Sequence, residues 1–274
     1  MISSSAMQAA DSLKIIQVSR HWVDSANKSV KKMVIEQQFF TKDDTLFRKI
    51  FYSETTGQIS GYMRCFYKNG RLFTEETFSS KDSLEYILKY EYNPAGDLII
   101  LTRLVPEQGN LVEKEKTLKT YDPDHKLIAE KKTFEKKTGI ITSFTYNTAG
   151  LLVTESKKYK KAAKSPFKLE SKTYSYSPYN LVSQVKYAAK DNSGGLFQHT
   201  EDYGYNEKGK LTGISYSGKD KPPIAEKVYK YYNNGKLRVI EDHDAAGKII
   251  YLLHYEYKEH FMDRGTEDSY YENF

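Results

Sequence analysis

The sequence predicts an all-β protein built from tandem antiparallel β-hairpins that form one long twisted or curled meander sheet. Two observations lead to this fold class. A turn led by an aromatic residue recurs about every 25 to 30 residues, which is the signature of a repeat architecture. The composition is also typical of strands with one buried side, because the 274 residues include 24 Tyr and 13 Phe against one Trp.

The recurring turn, which we call the Tyr turn, has an aromatic residue, three or four turn residues, one further residue and then Leu or Val. The copy from Tyr92 to Leu98 has the sequence Y-N-P-A-G-D-L. The aromatic residues that begin the copies are Phe40, Tyr67, Tyr92, Tyr121, Tyr146, Tyr176, Tyr205 and Tyr232. Each such residue is expected opposite the Leu or Val of its own turn, and these cross-strand pairs would set the register of the sheet.

The turn residues explain this pattern. Asn or Asp first, Pro second and Gly fourth favour a type I turn followed by a left-handed residue, which makes a three-residue hairpin loop with a bulge. The fourth position therefore needs a positive φ, which Gly, Asn, Asp and His tolerate best. The fourth positions are Asp44, Gly96, His125, Gly150, Asn180 and Gly209. The two shorter copies, Asn69-Gly70 and Asn234-Gly235, favour a two-residue type I′ turn instead.

A second, looser turn lies between successive Tyr turns, for example at Thr55–Gly57 and at Asp244–Gly247. A leading hairpin, Lys14–Asp24 and Ser29–Phe40, precedes the first Tyr turn. These turns divide the chain into about eighteen strands of about eight to ten residues each. No segment predicts a helix.

Alternation along the strands identifies the face that is buried. In Leu84–Tyr92 every second residue, starting with Leu84, is Leu or Tyr, and the intervening residues are charged except for Ile87. Other strands are polar on both sides, and the charges on both sides of Leu111–Tyr121 are not typical of a lipid-facing strand. No stretch approaches the roughly 18 apolar residues of a membrane helix. We therefore expect no membrane span.

The expected organisation has three parts: a start over residues 1–12, a β-hairpin repeat domain over residues 13–258, and a C-terminal cap or tail over residues 259–274. Ile2–Ala10 is small and uncharged and is similar to the end of a secretory signal peptide, although the basic start and the apolar middle are missing. A disordered start is the alternative interpretation. In the last part, aromatic residues near the C-terminus are expected to cover the last edge of the sheet.

Charge and cysteine content exclude some functions. The 42 basic and 36 acidic residues give a net charge of +6, and both signs are spread along the chain, so no nucleic-acid partner is expected. The single cysteine, Cys65, cannot form an internal disulfide. It lies two residues before Tyr67 and therefore on the same side of the strand, which predicts a small buried hydrophobic residue and not a nucleophile.

The recurring Y-N/D-x-x-G-x-L pattern resembles the YD repeat of bacterial Rhs-type proteins, over roughly Phe40–Tyr257. The resemblance implies hairpin ribbons that curl into sheets or hollow shells, in a secreted or surface-associated protein. Asp follows Tyr only at Asp122, and no segment resembles a toxin domain, so a toxin-encapsulating role is not expected. Asn69–Leu72 and Asn234–Leu237 also resemble, more weakly, MORN-like repeats of antitoxin-type proteins.

No group of residues in the sequence predicts catalysis, a metal or a cofactor. Asp242-His243-Asp244 has the residue types of a metal or acid–base cluster, but it lies where a loose turn begins, and we expect a solvated turn there. The six His are scattered, and no Gly-rich phosphate loop or nucleophile elbow is present. We therefore expect a non-enzyme without catalytic, metal-binding or cofactor-binding residues, whose binding residues are unknown.

The expected function is a non-catalytic, exported scaffold, periplasmic, cell-surface or extracellular, that presents an extended surface to a protein or glycan partner. The tyrosine-rich face suits the stacking of sugars where it is open to solvent, although the core of the sheet is the simpler interpretation. The densest basic run, Lys157–Lys161, is expected to be solvated charge at a hairpin tip. Two alternatives stay open: a cytoplasmic antitoxin- or immunity-type binding protein, and, least favoured, a hydrolase acting on polysaccharide through Asp/Glu pairs.

Overall fold

The computed structural model describes residues 13–23, 29–41 and 43–260 of the chain. Eighteen β-strands fill most of this part, in agreement with the predicted number. In chain order they are β1 (Leu13–Val23), β2 (Ser29–Phe40), β3 (Leu46–Tyr52), β4 (Ile59–Lys68), β5 (Arg71–Ser79), β6 (Leu84–Tyr92), β7 (Leu98–Glu107), β8 (Asn110–Tyr121), β9 (Leu127–Phe134), β10 (Lys137–Tyr146), β11 (Leu152–Tyr159), β12 (Phe167–Tyr176), β13 (Val182–Asp191), β14 (Leu196–Tyr205), β15 (Leu211–Ser217), β16 (Glu226–Tyr231), β17 (Leu237–His243) and β18 (Ile249–His260). The helical structure described is one 3₁₀ turn, Lys161–Ala163, and no helix in the described residues is long and apolar enough to cross a membrane.

The strands form one closed antiparallel barrel. Each strand pairs with the next strand in the chain, and β18 pairs back with β1. This closing pair extends from Leu13 opposite His260 to His21 opposite Leu252. The all-β architecture is confirmed, but the prediction of one long twisted or curled meander sheet is wrong, because the sheet closes on itself. The edge strands of an open sheet expose unpaired N–H and C=O groups, and closure lets the first and last strands satisfy each other.

The Tyr turns have the predicted backbone. All six fourth-position residues have a positive φ, from 57° at Asp44 to 102° at Gly96. In the turn after β6 the amide of Gly96 donates to the carbonyl of Asn93 at 3.0 Å and to Asn93 Oδ1 at 2.8 Å. The strand register shifts by one residue between Glu91 and Tyr92, which is the bulge that this loop requires.

The two shorter copies differ from each other. At Asn69-Gly70 both residues have a positive φ, 52° and 72°, which confirms the predicted type I′ turn. At Asn234-Gly235 the positive φ, 81°, falls on the Gly and not on the Asn. Leu237 pairs with Tyr231, so Tyr231 and not Tyr232 begins a full-length Tyr turn. Two adjacent tyrosines fit the pattern equally well in the sequence, and the pairing of β16 with β17 selects the first.

Each strand has two faces, and we call the one that carries Tyr90, Tyr174 and Tyr203 the tyrosine face. On β6 the Leu and Tyr residues of this face are half-buried, as predicted, and the charged residues between them are exposed. Ile87, the exception in the pattern, is the most buried residue of the strand at 8% exposure, although it lies on the opposite face. Both faces of the sheet therefore contribute buried residues.

The main apolar cluster lies on the opposite face of β1–β4. It consists of Ile15, Phe39, Ile50 and Tyr62, each exposed by 8% or less. Ile15 pairs with Phe39 and Ile50 pairs with Tyr62, so the cluster is a row of cross-strand neighbours. The Tyr62 ring also stacks on Phe78, with the ring centroids 4.8 Å apart. This row begins on β1 and therefore stabilises the barrel beside the seam at which it closes.

A chain of polar side chains crosses that seam on the same face. The hydroxyl of Tyr52 donates to Gln37 at 2.7 Å, Gln37 donates to Gln17 at 3.2 Å, and Gln17 donates to Glu256 at 3.4 Å. Glu256 belongs to β18 and the other three belong to β1, β2 and β3. These bonds link the two ends of the strand order beyond the backbone pairing.

Two sequence expectations fall on residues that are not described. The start over residues 1–12 lies outside the described part of the chain, and so does the C-terminal part except for residues 259 and 260, which continue β18. Both expectations stay untested.

Candidate functional site

Tyrosine hydroxyls join neighbouring Tyr turns at one end of the barrel. The hydroxyl of Tyr92 donates at 2.9 Å to the carbonyl of Leu72, which ends the previous Tyr turn. The same bond, 2.7 to 2.9 Å long, is made by Tyr67, Tyr92, Tyr121, Tyr146, Tyr176, Tyr205 and Tyr231. The first turn begins with Phe40, which has no earlier Tyr turn to reach. The tyrosines of the repeat therefore have a structural role, which explains why Phe does not replace them at the later turns.

The residue before the Leu of a Tyr turn reaches the next Tyr turn. The guanidinium of Arg71 lies over the ring of Tyr92 at 5.6 Å from its centroid, and Lys210 Nζ lies 5.2 Å from the centroid of the Tyr231 ring. Such cation–π contacts contribute about 0.5–1 kcal/mol at exposed sites. The end of the barrel is thus held by side chains that each connect two successive hairpins.

An acidic residue, Asp97, occupies this position in the turn after β6. Its Oδ2 lies 2.9 Å from Nδ1 of His125, the residue that replaces Gly in the next turn. Asn93 donates to the same Oδ2 at 2.8 Å. The bond to Asp97 raises the pKa of His125, and the bond to His125 lowers the pKa of Asp97.

A second group of tyrosines lies on the tyrosine face of β11–β15. We call tyrosine wall the set Tyr159, Tyr174, Tyr187, His199, Tyr203 and Tyr216. The hydroxyls of this wall donate to carboxylates: Tyr159 to Glu170 at 2.8 Å and Tyr203 to Glu201 at 2.7 Å. Tyr174 donates in the same way to Glu155 at 3.2 Å. Each of these three phenols is therefore oriented by a carboxylate on the same face.

The rings of the wall form a continuous surface across three strands. Tyr187 on β13 stacks on His199 of β14, with centroids 4.7 Å apart and an interplanar angle of 28°. The Tyr216 ring of β15 follows at 6.5 Å from His199. His199 Nε2 lies 3.4 Å from Glu201, and the His199 side chain is 15% exposed. His199, Tyr187 and Tyr216 are thus each partly accessible to solvent.

Ion pairs lie on the tyrosine face in and beside the wall. Lys157 lies 2.8 Å from Glu155, and both belong to β11, the strand of the wall residue Tyr159. On β16 and β17, Lys227 lies 2.5 Å from Asp242. Because Lys157 and Glu155 offset each other's charge, this part of the wall offers hydrogen-bond donors and acceptors with little net charge.

The wall tyrosines are not ionised at neutral pH. Burial, aided by the charge of Glu170, raises the pKa of Tyr187 to about 12. Burial and Glu155 raise the pKa of Tyr174 to about 12, and burial and Glu201 raise that of Tyr216 to about 12. These phenols therefore act as hydrogen-bond donors and ring platforms, and an activated nucleophile would require the opposite shift.

Cys65 lies where the sequence predicts it. It is 8% exposed on the tyrosine face of β4. Burial, together with the negative charge of Glu75, raises the pKa of the Cys65 thiol to about 11. The low exposure of Cys65 confirms the prediction of a small buried residue. The raised pKa means that the thiol carries almost no thiolate at neutral pH.

The residues of Asp242-His243-Asp244 do not form one site. Asp242 is 6% exposed and pairs with Lys227, whereas His243 Nε2 lies 3.0 Å from Glu241. Asp244 caps its own turn through backbone amides. The predicted solvated turn is correct for Asp244 and wrong for Asp242, because β17 continues to His243 and its side chains alternate between faces. The described residues contain no group of three or more His, Cys, Asp or Glu that could hold a metal.

The basic run at Lys157–Lys161 is divided in a similar way. Lys157 lies on the tyrosine face and pairs with Glu155, whereas Lys158 is exposed and Lys161 begins the 3₁₀ turn. The prediction of solvated charge is wrong for Lys157. The carboxylates that pair with the wall tyrosines were also missed, although a Glu two residues before a Tyr in one strand, as in Glu201–Tyr203, places both side chains on one face.

Comparisons with known proteins reveal similarity in structure alone. No family model matches the chain, and no curated protein matches its sequence. A TcdB2-TccC3 structure without its hypervariable C-terminal region is 16% identical with a TM-score of 0.41, and the match covers 84% of this chain but 12% of that one. A porin-like protein from Bacteroides uniformis is 11% identical with a TM-score of 0.40, and the match covers 89% of this chain and 96% of that one. A putative outer membrane lipoprotein-sorting protein domain from Vibrio parahaemolyticus is 10% identical with a TM-score of 0.22, covering 96% and 90% of the two chains. We draw no functional conclusion from likeness at this level.

Proposed function

We propose that this protein is a non-catalytic, exported scaffold that holds a glycan partner against the tyrosine wall. The observation that carries the proposal is the stacked surface of Tyr187 and His199, flanked by Glu170 and Glu201. Aromatic rings bind the C–H faces of sugars, and carboxylates next to them accept hydrogen bonds from sugar hydroxyls. The wall provides both kinds of group side by side.

The balance of charge on the wall favours an uncharged, hydroxyl-rich ligand. Glu155 is already paired with Lys157, and Glu201 already accepts a bond from Tyr203. A charged ligand would have to break these pairs. An apolar ligand would remove the polar groups from water without offering them a hydrogen bond. A neutral oligosaccharide can add hydrogen bonds to this network without displacing its members.

The non-catalytic part of the proposal is supported by the protonation of the reactive groups. The raised pKa values of Cys65 and of the wall tyrosines keep these groups neutral. Export is supported by the resemblance of the Tyr turns to the YD repeat. The antitoxin-type alternative loses part of its basis, since Asn234-Gly235 is not a type I′ turn.

Binding of glycans to the purified chain tests this proposal. Neutral oligosaccharides of six or so sugar units are first screened on a glycan array, and the best binder is then titrated by calorimetry. We expect Tyr187→Ala to weaken binding by about two- to tenfold, because it removes a stacking platform worth about 0.5–1.5 kcal/mol. Tyr179→Ala is the matched control, because Tyr179 is an 85% exposed turn residue outside the wall.

Three outcomes contradict the proposal. An array without a bound neutral glycan removes the ligand class, and equal affinities of the Tyr187 and Tyr179 variants remove the site. Release of reducing sugar from the bound oligosaccharide, abolished by replacing one carboxylate of the wall, would show an enzyme. The first two outcomes address the partner, and the third addresses the absence of catalysis.

A further inference from the structure

A pocket of about 230 Å³ opens beside the Tyr turn that joins β4 and β5. Lys68, Arg71 and Phe73 line one side, and Glu91 and Tyr92 line the other. The Phe73 side chain is 47% exposed, and the Phe66 ring of the same hairpin is 43% exposed. The pocket lies at the end of the barrel that carries the Tyr turns, on strands other than those of the tyrosine wall.

The two cations of the pocket contact aromatic rings in place of carboxylates. Lys68 Nζ lies 5.8 Å from the centroid of the Phe73 ring, and the Arg71 guanidinium lies 5.6 Å from that of Tyr92. Neither cation belongs to an ion pair among the residues that the structure describes. The charge of Arg71 acts on the nearby Asp97, but Oδ2 of Asp97 is already bound to His125.

We propose that this pocket binds the ring and carboxylate of an acidic sugar, such as a uronic acid unit of a polysaccharide. The half-exposed Phe73 ring offers a platform for the C–H face of the sugar ring. Lys68 and Arg71 supply two positive charges for one carboxylate, and Arg71 suits bidentate binding. Glu91 and Asn69 complete the lining with an acceptor and an amide for sugar hydroxyls.

The mixed charge of the pocket selects this ligand over two others. A neutral sugar gains nothing from two cations, so charge complementarity favours the acid form. An acidic peptide would also place a carboxylate beside Lys68 and Arg71, but it lacks the array of hydroxyls with which a sugar ring donates to Glu91. The pocket thus combines two cations, an aromatic ring and one carboxylate, which are the groups that bind a uronic acid.

The proposal rests on the proposed function only in taking a glycan as the ligand. The acidic unit and the site rest on the pocket, because the tyrosine wall itself favours a neutral sugar. Titration of the full chain with glucuronate, followed by saturation-transfer difference NMR, tests it. Glucose and glucuronamide are the probes without a carboxylate, and acetate and a short acidic peptide are the probes without a sugar ring. We expect glucuronate to bind more tightly than each of the four.

The double variant Lys68→Gln and Arg71→Gln is expected to weaken glucuronate binding by about tenfold, because it removes both positive charges that face the carboxylate. The matched control is Lys126→Gln with Lys210→Gln, which removes the same charge from two other Tyr turns where the lysines also lie over tyrosine rings. Phe73→Ala is expected to weaken binding without lowering the melting temperature, because the ring is exposed.

Equal loss of binding in the two double variants would reduce the effect to net charge and overturn the proposal. Acetate or the acidic peptide binding as tightly as glucuronate would replace the sugar with a simple anion or a peptide and overturn it as well. The test is independent of the tyrosine wall. Glucuronate binding that depends on Lys68 and Arg71 stands even where neutral oligosaccharides fail to bind, and binding that depends on Tyr187 stands even where glucuronate fails.

Discussion

Oδ2 of Asp97 lies 2.9 Å from Nδ1 of His125, and this contact joins two successive Tyr turns at the positions where several other copies have a basic residue and a glycine. At the neighbouring pair of turns, the Arg71 guanidinium packs on Gly96 instead. The imidazole of His125 at the fourth position of one turn therefore occurs together with the carboxylate of Asp97 before the Leu of the preceding turn. The local chemistry of one turn is matched to the next turn, about 28 residues away in the sequence.

We expect this contact to make stability depend on pH. The pKa of His125 is raised in the folded state, so its contribution is complete below the unfolded value of 6.5 and is lost as the pH rises through the folded value. The pKa of Asp97 is lowered, so its contribution is present above 3.8 and is lost as the pH falls through the folded value. The contact thus stabilises most in the window between these limits.

Thermal unfolding of the wild type and of Asp97→Asn at about pH 2.5, 5.5 and 8.5 checks this expectation. The difference in melting temperature should be largest at the middle pH and should decline on both sides. An equal difference at all three pH values would show that the bonds from Asp97 to its own turn dominate.

Replacing His125 with Gly should leave the urea midpoint equal or higher at alkaline pH. His125 has a φ of 61°, which is costly for a residue with a Cβ, and Gly removes this strain. At pH 5.5 the variant also loses the contact with Asp97, so we expect the gain to shrink or vanish there. A variant that is more destabilised at alkaline than at acidic pH would contradict both parts of this interpretation.

Gly150→Val should destabilise the protein by more than about 1 kcal/mol, because a β-branched residue at a φ of 79° is strained. The new side chain would also begin 3.2 Å from Lys126 Nζ. Lys126→Thr in the preceding Tyr turn is the control and should cost less, at most about 0.5–1 kcal/mol, because it removes only the contact of Lys126 with the Tyr146 ring. Urea midpoints in the reverse order would make the assigned hairpin register wrong.

Tyr121→Phe should cost about 1 kcal/mol, because it removes the hydroxyl that donates to the carbonyl of Leu98 at 2.9 Å and leaves that carbonyl without this donor. Tyr179→Phe should be silent, because Tyr179 is 85% exposed. Equilibrium urea unfolding of both variants gives the comparison. Equal stability of the two would remove the structural role assigned to the tyrosine hydroxyls of the Tyr turns.

Closure of the barrel can be tested by cross-linking. Gln17 pairs with Glu256 and Val18 with Tyr255 across β1 and β18, and in an antiparallel pair one of two adjacent positions brings the side chains closest. With Cys65→Ala as background, double cysteine variants at each pair are oxidised and analysed by mass spectrometry. We expect an internal disulfide at one of them and none for Gln17→Cys with Lys131→Cys in β9, because β9 does not pair with β1.

The candidate sites were less predictable than the turns. Tyrosines on one face of each strand follow from a period of two, which is visible in Leu84–Tyr92 and again around Tyr203. The hydrogen-bond and stacking partners of these tyrosines do not follow from this period. Glu170 lies on the neighbouring strand from Tyr159, and Tyr187 and His199 stack across β13 and β14, so each contact depends on how two strands are aligned.

The sequence by itself determined the hairpins, because the backbone of a Tyr turn depends on four or five adjacent residues. A positive φ at Gly96, His125 and Asn180 follows from local steric preference. A tight turn of this kind pairs the two strands that it connects. Only the tertiary structure decided that the sheet closes into a barrel. The pairing of Leu13–His21 with Leu252–His260 joins segments more than 230 residues apart in the sequence, without a turn to mark it. It depends on the accumulated twist and coiling of eighteen strands, a property of the whole sheet that no single repeat contains.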